Sequence, residues 1–139
     1  MDQGQITIRE YTPFRIEEIL PLYRSVGWTR YTKRPEMLKE AVRHSLKVLA
    51  AYNGDHLVGL IRAVGDGFSI LYIQDLLVHP ACWRRGIGTR LLRAMLDQYQ
   101  SVCQKVLLTD NTEQTNAFYR AAGMLPAKEL DCVTFLIDE

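Results

Sequence analysis

Polar and apolar residues alternate along Gln5 to Tyr11, where Ile6 and Ile8 share one face, and this period of two predicts a first strand with one buried side. Thr12-Pro13 ends it. Between Phe14 and Val26 the period changes: Ile16, Ile19, Leu20, Tyr23 and Val26 recur at helical spacing. Pro21 sits inside that run, where it deletes a backbone hydrogen bond. A kink is expected there, or a short turn followed by a helix that begins at Pro21. Gly27 to Lys33 shows no period and reads as a loop. Pro35 to Leu46 is the next helix, with Pro35 as its first helical residue and Met37, Leu38, Ala41, Val42 and Leu46 as its buried stripe.

Val48 to Tyr52 and Leu57 to Val64 flank Asn53-Gly54-Asp55 and predict a β-hairpin, because Asn-Gly supplies the positive φ angles that such turns use. Gly65-Asp66-Gly67 turns the chain into a strand from Phe68 to Val78, closed by His79-Pro80. From Ile87 to Tyr99 the apolar positions Ile87, Leu91, Leu92, Met95, Leu96 and Tyr99 form one helical stripe, opposite Arg90, Arg93, Asp97 and Gln98. Lys105 to Thr109 is a short strand. Its strand-helix-strand connection predicts a parallel pair with a right-handed crossover. Thr112 is the expected N-cap of a helix reaching Ala122, with Ala117, Phe118 and Ala121 buried and Gly123 as a left-handed C-cap. Val133 to Ile137 is the predicted last strand. The order β-α-α-β-β-β-α-β-α-β gives an α+β fold: a mixed, mainly antiparallel sheet with helices on both faces, in a single domain spanning 1–139.

Composition narrows the function classes. The 139 residues are 47% apolar and 24% charged, ordinary for one globular domain. A net charge of +1 provides no broad basic field, so duplex nucleic acid is not an expected partner. No apolar run reaches the length of a membrane span, and Met-Asp-Gln-Gly-Gln lacks the parts of a secretion signal. No membrane partner and a cytoplasmic location are expected. Cys82, Cys103 and Cys132, like His44, His56 and His79, are scattered without metal-ligand spacing, so no metal is expected.

Between the strand ending at Val78 and the helix opening at Ile87 lies Arg84-Arg85-Gly86-Ile87-Gly88-Thr89, a basic glycine loop. The first N–H groups of a helix lack intrahelical partners, and the peptide dipoles place about half a positive charge at that end. Glycines let a bulky ligand approach the backbone, the arginines add charge and Thr89 adds a hydroxyl. A pyrophosphate fits such a site. The fingerprints of the commoner nucleotide folds are incomplete: position 91 is Leu where Gly-x-Gly-x-x-Gly needs glycine, and there is no Gly-Lys-Ser/Thr.

Val78-His-Pro-Ala-Cys-Trp-Arg-Arg-Gly-Ile-Gly-Thr-Arg-Leu-Leu92 closely resembles the acyl-CoA-binding motif of the GCN5-related N-acetyltransferases, Gln/Arg-x-x-Gly-x-Gly/Ala. Thr115-Asn-Ala-Phe-Tyr-Arg-Ala-Ala-Gly-Met124 looks like that family's second hallmark. One departure is Trp83 at the Gln/Arg position, which leaves side-chain contact with phosphate to Arg84 or Arg85. The resemblance implies the family's fold, in which parallel strands splay to admit the pantetheine arm, and an N-acetyltransferase that uses acetyl-CoA as cosubstrate and a primary amine of a small molecule or peptide as acceptor. It further implies cofactor contacts from Leu76, Leu77, Val78, Arg84, Arg85, Gly86, Ile87, Gly88, Thr89, Asn116, Phe118 and Tyr119.

Amine acylation needs a neutral nucleophile, a donor for the thioester oxygen and an acid for the departing thiolate. By likeness to the family, Tyr119 is the acid; a core tyrosine beside Phe118 is the plainer reading. Asp75, in an otherwise apolar strand, is the candidate base. The alternatives are a salt-bridged or outward-facing carboxylate, His79, or a chain of waters with no dedicated base. Trp28 and Tyr31 read either as plugs over the core or as walls of the acceptor pocket. Asn116 is either a cofactor neighbour or a helix-surface residue. A non-catalytic acyl-CoA sensor and a toxin acetylating aminoacyl-tRNA are the competing functions, the latter disfavoured by the charge. Dimers are frequent among proteins of this type, and a homodimer is among the expected partners.

Overall fold

The computed structural model describes residues 5–138 and divides the chain into two compact units, one ending at Leu108 and one beginning at Thr109. The first unit holds β1 (Ile6–Glu10), α1 (Ile16–Ser25), α2 (Thr29–Thr32), α3 (Pro35–Arg43), β2 (Lys47–Asn53), β3 (His56–Val64), β4 (Ile70–Val78), α4 (Ile87–Gln98) and β5 (Gln104–Leu107). The second holds α5 (Glu113–Ala121) and a short 3-10 turn, Ala127–Leu130. The expected α+β architecture is present in the first unit: the strands form one sheet in the order β1-β2-β3-β4-β5, antiparallel except for the parallel β4–β5 pair.

Every position of β2 from Val48 to Asn53 is buried, which a strand achieves only when both faces of its sheet are covered. On one face Ile19, Leu22 and Tyr23 of α1 and Leu38 and Val42 of α3 pack with Val48, Ala50, Tyr52, Leu60 and Leu77. On the other lies α4, with Ile87, Leu91, Leu92 and Met95 buried. Its approach depends on Gly59: a Cβ there would meet Leu91 Cδ1 at 3.1 Å, Ile87 Cγ2 at 3.2 Å and the Leu77 oxygen at 3.3 Å. Gly65, at φ +127°, closes the β3–β4 turn, and a Cβ would stand 2.5 Å from the Ile70 oxygen.

Several sequence expectations change. Helix α1 runs through Pro21 and does not begin there; Ile19, Leu22 and Tyr23 bury on the sheet and hold the turn that lacks one N–H donor. The Gly27–Lys33 stretch contains one helical turn, α2, closed by hydrogen bonds from Thr32 N to Trp28 O and Lys33 N to Thr29 O. A single turn is too short for any period to reveal. Phe68 stays 83% exposed and outside β4. In the second unit Thr112 caps α5 as expected, within a capping box completed by Thr115, and Gly123 takes φ +92°. However, α5 has no buried residue, so Ala117, Phe118 and Ala121 are not a buried face. The predicted strand Val133 to Ile137 does not form: Val133, Phe135, Leu136 and Ile137 are 70, 90, 69 and 87% exposed. Their β propensity is high, but a strand also needs a partner edge.

Candidate functional site

Strand β4 outruns its parallel neighbour. The β4–β5 register ends at Ile73–Leu107, while β4 continues to Val78 against β3 through the pairs Leu76–Ile61, Leu77–Leu60 and Val78–Gly59. Just before that extension Gln74 is an extra residue opposite the Arg62–Ala63 step, a bulge of the kind that bends a strand and re-aims its side chains. His79 N donates to Val58 O at 2.8 Å, which fixes the phase of the ladder. By alternation the main-chain groups of Leu77 face β3, whereas those of Leu76 and Val78 face the edge that β5 leaves open. The Val78 oxygen on that edge accepts a hydrogen bond from Trp83 Nε1 at 2.7 Å. Among the described residues no strand pairs with Leu76 N–H, Leu76 C=O or Val78 N–H on that edge.

The chain then passes through a 3-10 turn, Pro80–Cys82, whose first N–H, that of Ala81, donates to His79 Nδ1 at 3.1 Å. This gives His79 a turn-capping role. Cys82 is buried beneath the loop, while Trp83 is 55% exposed with its indole N–H turned back on Val78. Arg84 adopts φ +65°, a left-handed conformation uncommon for a side-chain-bearing residue, and Gly86 follows at φ +76° as the N-cap of α4. Gly86 has no side chain to offer the helix, and no side-chain hydrogen bond caps α4 among the described residues. A Cβ built on Gly86 meets nothing within 4 Å, so the space beside Gly86 itself is open. The first turn contains no acidic residue, Arg84 is exposed and Arg85 half-buried. Arg90 is engaged elsewhere, its guanidinium donating to Ile6 O at 3.1 Å.

On the α1–α3 side of the sheet, Asp75 is 3% exposed and saturated with donors. Tyr23 Oη donates to Oδ2 at 2.9 Å, Tyr31 Oη to Oδ1 at 2.8 Å and Arg62 Nε to Oδ2 at 2.8 Å. Arg62 also donates to Tyr31 Oη at 3.0 Å and Ser45 Oγ at 3.2 Å. The salt-bridged alternative for Asp75 is therefore the observed arrangement. Burial pulls the Arg62 guanidinium down, and the Asp75 charge and hydrogen bond more than offset it, leaving it above its ordinary range. Burial, reinforced by Asp75, raises the Tyr23 and Tyr31 hydroxyls above theirs, so both remain donors. Trp28 and Tyr31 pack half-buried against the core, with Trp28 edge-on to Tyr23 at 5.8 Å and Tyr31 edge-on to it at 5.1 Å. Arg62, Tyr23 and Ser45 escape sequence reading; a lone arginine in the apolar run Leu57–Val64 is the signal that points to them.

The second unit carries the remaining candidates. Asn116 Nδ2 donates to Asn111 Oδ1 at 3.0 Å and to Thr112 O at 2.7 Å, bonds that tie the start of α5 together. Phe118 and Tyr119 stack edge to face, centroids 4.9 Å apart, and burial raises the Tyr119 hydroxyl above its ordinary value. Arg120 pairs with Glu129, joining α5 to the 3-10 turn. Among the described residues no helix is long and apolar enough to cross a membrane, and no group of three His, Cys, Asp or Glu is placed to hold a metal ion.

Residues 14–124 match the model of the Acetyltransferase (GNAT) family. A GNAT-family acetyltransferase from Streptococcus pneumoniae TIGR4 superposes with a TM-score of 0.89 at 40% identity, covering 97% of this chain and 98% of that one. A protein of unknown function from meticillin-resistant Staphylococcus aureus, described as a probable acetyltransferase, superposes at 0.79 with 21% identity over 97 and 100% of the chains, which shows the fold alone. An uncharacterized N-acetyltransferase of Porphyra purpurea is 26% identical over 113 residues, 78% of this chain and 63% of that protein, so the chain spans less than two thirds of that relative.

Proposed function

Because the chain belongs to the Acetyltransferase (GNAT) family, we propose that it is an N-acetyltransferase that takes an acetyl group from acetyl-CoA and passes it to a primary amine of a small molecule or peptide by direct attack on the thioester. The observation that carries this reading is the pairing of two features: the open edge of β4 at Leu76 and Val78, and the uncapped, basic start of α4 at Arg84–Thr89. Together they suit a ligand with an extended amide arm and a pyrophosphate at its end.

The residues present fit that ligand. The N–H groups of Ile87, Gly88 and Thr89, at a helix start without a side-chain cap, would hold the pyrophosphate, with Arg84 and Arg85 adding charge. Leu76 and Val78 would pair with the pantetheine amides as a further strand would, leaving Leu77 to hold β4 on β3. Acetyl-CoA supplies an acyl group on a thiol leaving group. A β4 N–H on the open edge would donate to the thioester oxygen as charge develops there.

Tyr119, kept protonated by burial, would give its proton to the departing thiolate. Trp28 and Tyr31 would border the acceptor. Asp75 is almost wholly buried behind three donors, so a proton from the acceptor ammonium would travel through the Tyr31 hydroxyl: Tyr31 passes its own proton to Asp75 and takes one from the nitrogen. Calorimetry with acetyl-CoA, followed by free-thiol release over a panel of amines, tests the assignment. Binding plus amine-dependent thiol release supports it; binding with no release from any amine leaves an acyl-CoA sensor in its place.

A further inference from the structure

Charge is unevenly placed in the first unit. Ile19 to Pro35 carries four of the 17 Lys and Arg residues, Arg24, Arg30, Lys33 and Arg34, and none of the 16 Asp and Glu residues, so the rest of the chain is acidic in balance. All four are exposed, and among the described residues none of them forms an ion pair. Arg24 lies in the last turn of α1, where the helix dipole favours a cation. The single turn of α2 has little dipole to offer the others. Arg30, Lys33 and Arg34 follow at spacings of three and four along it and its end, where like charges repel. Arg34 is moreover the N-cap of α3, without a side-chain cap hydrogen bond, at the helix end that disfavours a cation. The next acids along the chain serve α3 itself: Glu36 lies in its first turn, and Glu40 pairs with Arg43 at 3.2 Å.

Trp28 and Tyr31, the proposed border of the acceptor, belong to this same turn. Tyr31 Oη donates to Asp75 Oδ1 at 2.8 Å, which seats α2 over β4 one residue before Leu76, and Arg34 N donates to Tyr31 O at 3.0 Å. Beneath them the Asp75 carboxylate is matched by Arg62 at 2.8 Å and adds little negative field of its own. A cationic rim over a neutralised floor repels a polycation and draws in an anion. Resting on the acetyl-transfer reading, we infer that the acceptor is an amine that also bears an oxyanion, a carboxylate or a phosphate, and that Arg30, Lys33 and Arg34 are the specificity-determining residues that bind it. Arginine suits either oxyanion, because its planar fork donates two parallel hydrogen bonds. The rings of Trp28 and Tyr31, centroids 6.4 Å apart, take the carbon frame between amine and anion. Arg34 breaks a local rule of helix capping, as residues at functional sites do.

Four amines on one frame test this: para-aminomethylbenzoate and para-aminomethylphenylphosphonate, each with an anion, para-methylbenzylamine with no second charge, and para-xylylenediamine with a second cation. At low ionic strength, kcat/KM for thiol release should be at least about tenfold higher for the better anion than for the diamine, with the neutral amine between them. A preference for either anion supports the inference and tells carboxylate from phosphate. The double variant Arg30→Glu, Arg34→Glu, with its helical circular dichroism retained, should raise KM for the anions and move the diamine to the head of the order. A wild type that favours the neutral amine or the diamine, or a folded variant that keeps the wild-type order, overturns the inference. Should the variant fail to fold, salt on the wild type decides. An anion advantage that shrinks several-fold between about 20 and about 500 mM salt supports the inference, and one indifferent to salt overturns it. Absence of thiol release from every amine tells against the acetyl-transfer reading alone, because binding still decides the question of charge. In an NMR titration that follows the Trp28 indole N–H, half-saturation by an anion at lower concentration than by the diamine supports the inference, and equal or reversed order overturns it.

Discussion

Arg62 and Asp75 face each other across β3 and β4, Nε to Oδ2 at 2.8 Å, with side chains only 6 and 3% exposed. Removing one partner strands the other charge away from water. Asp75→Asn is expected to cost about 3–5 kcal/mol in urea unfolding, and the paired replacement Arg62→Met with Asp75→Leu considerably less. Equal losses from the single and the double variant would show that the ion pair is not what Asp75 provides.

Gly59 sets how closely the start of α4 approaches the sheet. Gly59→Ala pushes a methyl into Leu91, Ile87 and the Leu77 oxygen, so a loss of about 1–3 kcal/mol is expected. Because Ile87 opens α4, acetyl-CoA affinity should fall with it. Calorimetry on the folded variant checks this; unchanged stability and affinity would mean that the helix yields freely.

Tyr119→Phe removes the proposed acid while keeping its ring stacked on Phe118. Turnover should drop about 10²–10⁴-fold with little change in acetyl-CoA affinity. Burial raises the hydroxyl above its ordinary value of 10.0, so the protonated, active form persists through neutral and mildly alkaline pH. A pH–rate profile of the wild type should show no decline from this group below pH 10. Turnover unchanged in Tyr119→Phe would contradict the assignment.

Asp66 organises the turn between β3 and β4, accepting from Phe68 N and Ser69 N at 2.7 Å and from Ser69 Oγ at 2.5 Å. The Ser69 hydroxyl first, then the backbone N–H groups, hold its carboxyl well below the ordinary 3.8. The folded value lies under the unfolded one, so the stabilisation is complete above pH 3.8 and is lost as pH falls toward the folded value. Urea midpoints of wild type and Asp66→Ala should differ at pH 6 and converge in strong acid. A gap that persists in acid would assign the effect to something other than ionisation.

The parts of the site that were legible in sequence are local ones. Arg84-Arg85-Gly86 carries its meaning within a few residues, since positive φ, missing Cβ atoms and the helix start are all short-range properties. Asp75 was conspicuous as an acid in an apolar strand, but its partners were not: Tyr23 lies 52 positions away and Tyr31 44, joined to it only by the register of the folded sheet. The single turn of α2 was too brief to leave a period. Val133–Ile137 shows the opposite failure, where β-prone composition announced a strand and the structure assigns none.

Titrating CoA itself into the purified protein tests the phosphate cradle most directly, free of any need to know the acceptor. Saturable heat is expected, and the double variant Arg84→Glu, Arg85→Glu should weaken it at least about tenfold, near 1.4 kcal/mol. Absence of heat with wild type at millimolar CoA, or equal binding by the charge-reversed loop, would contradict the placement of the cofactor at the start of α4.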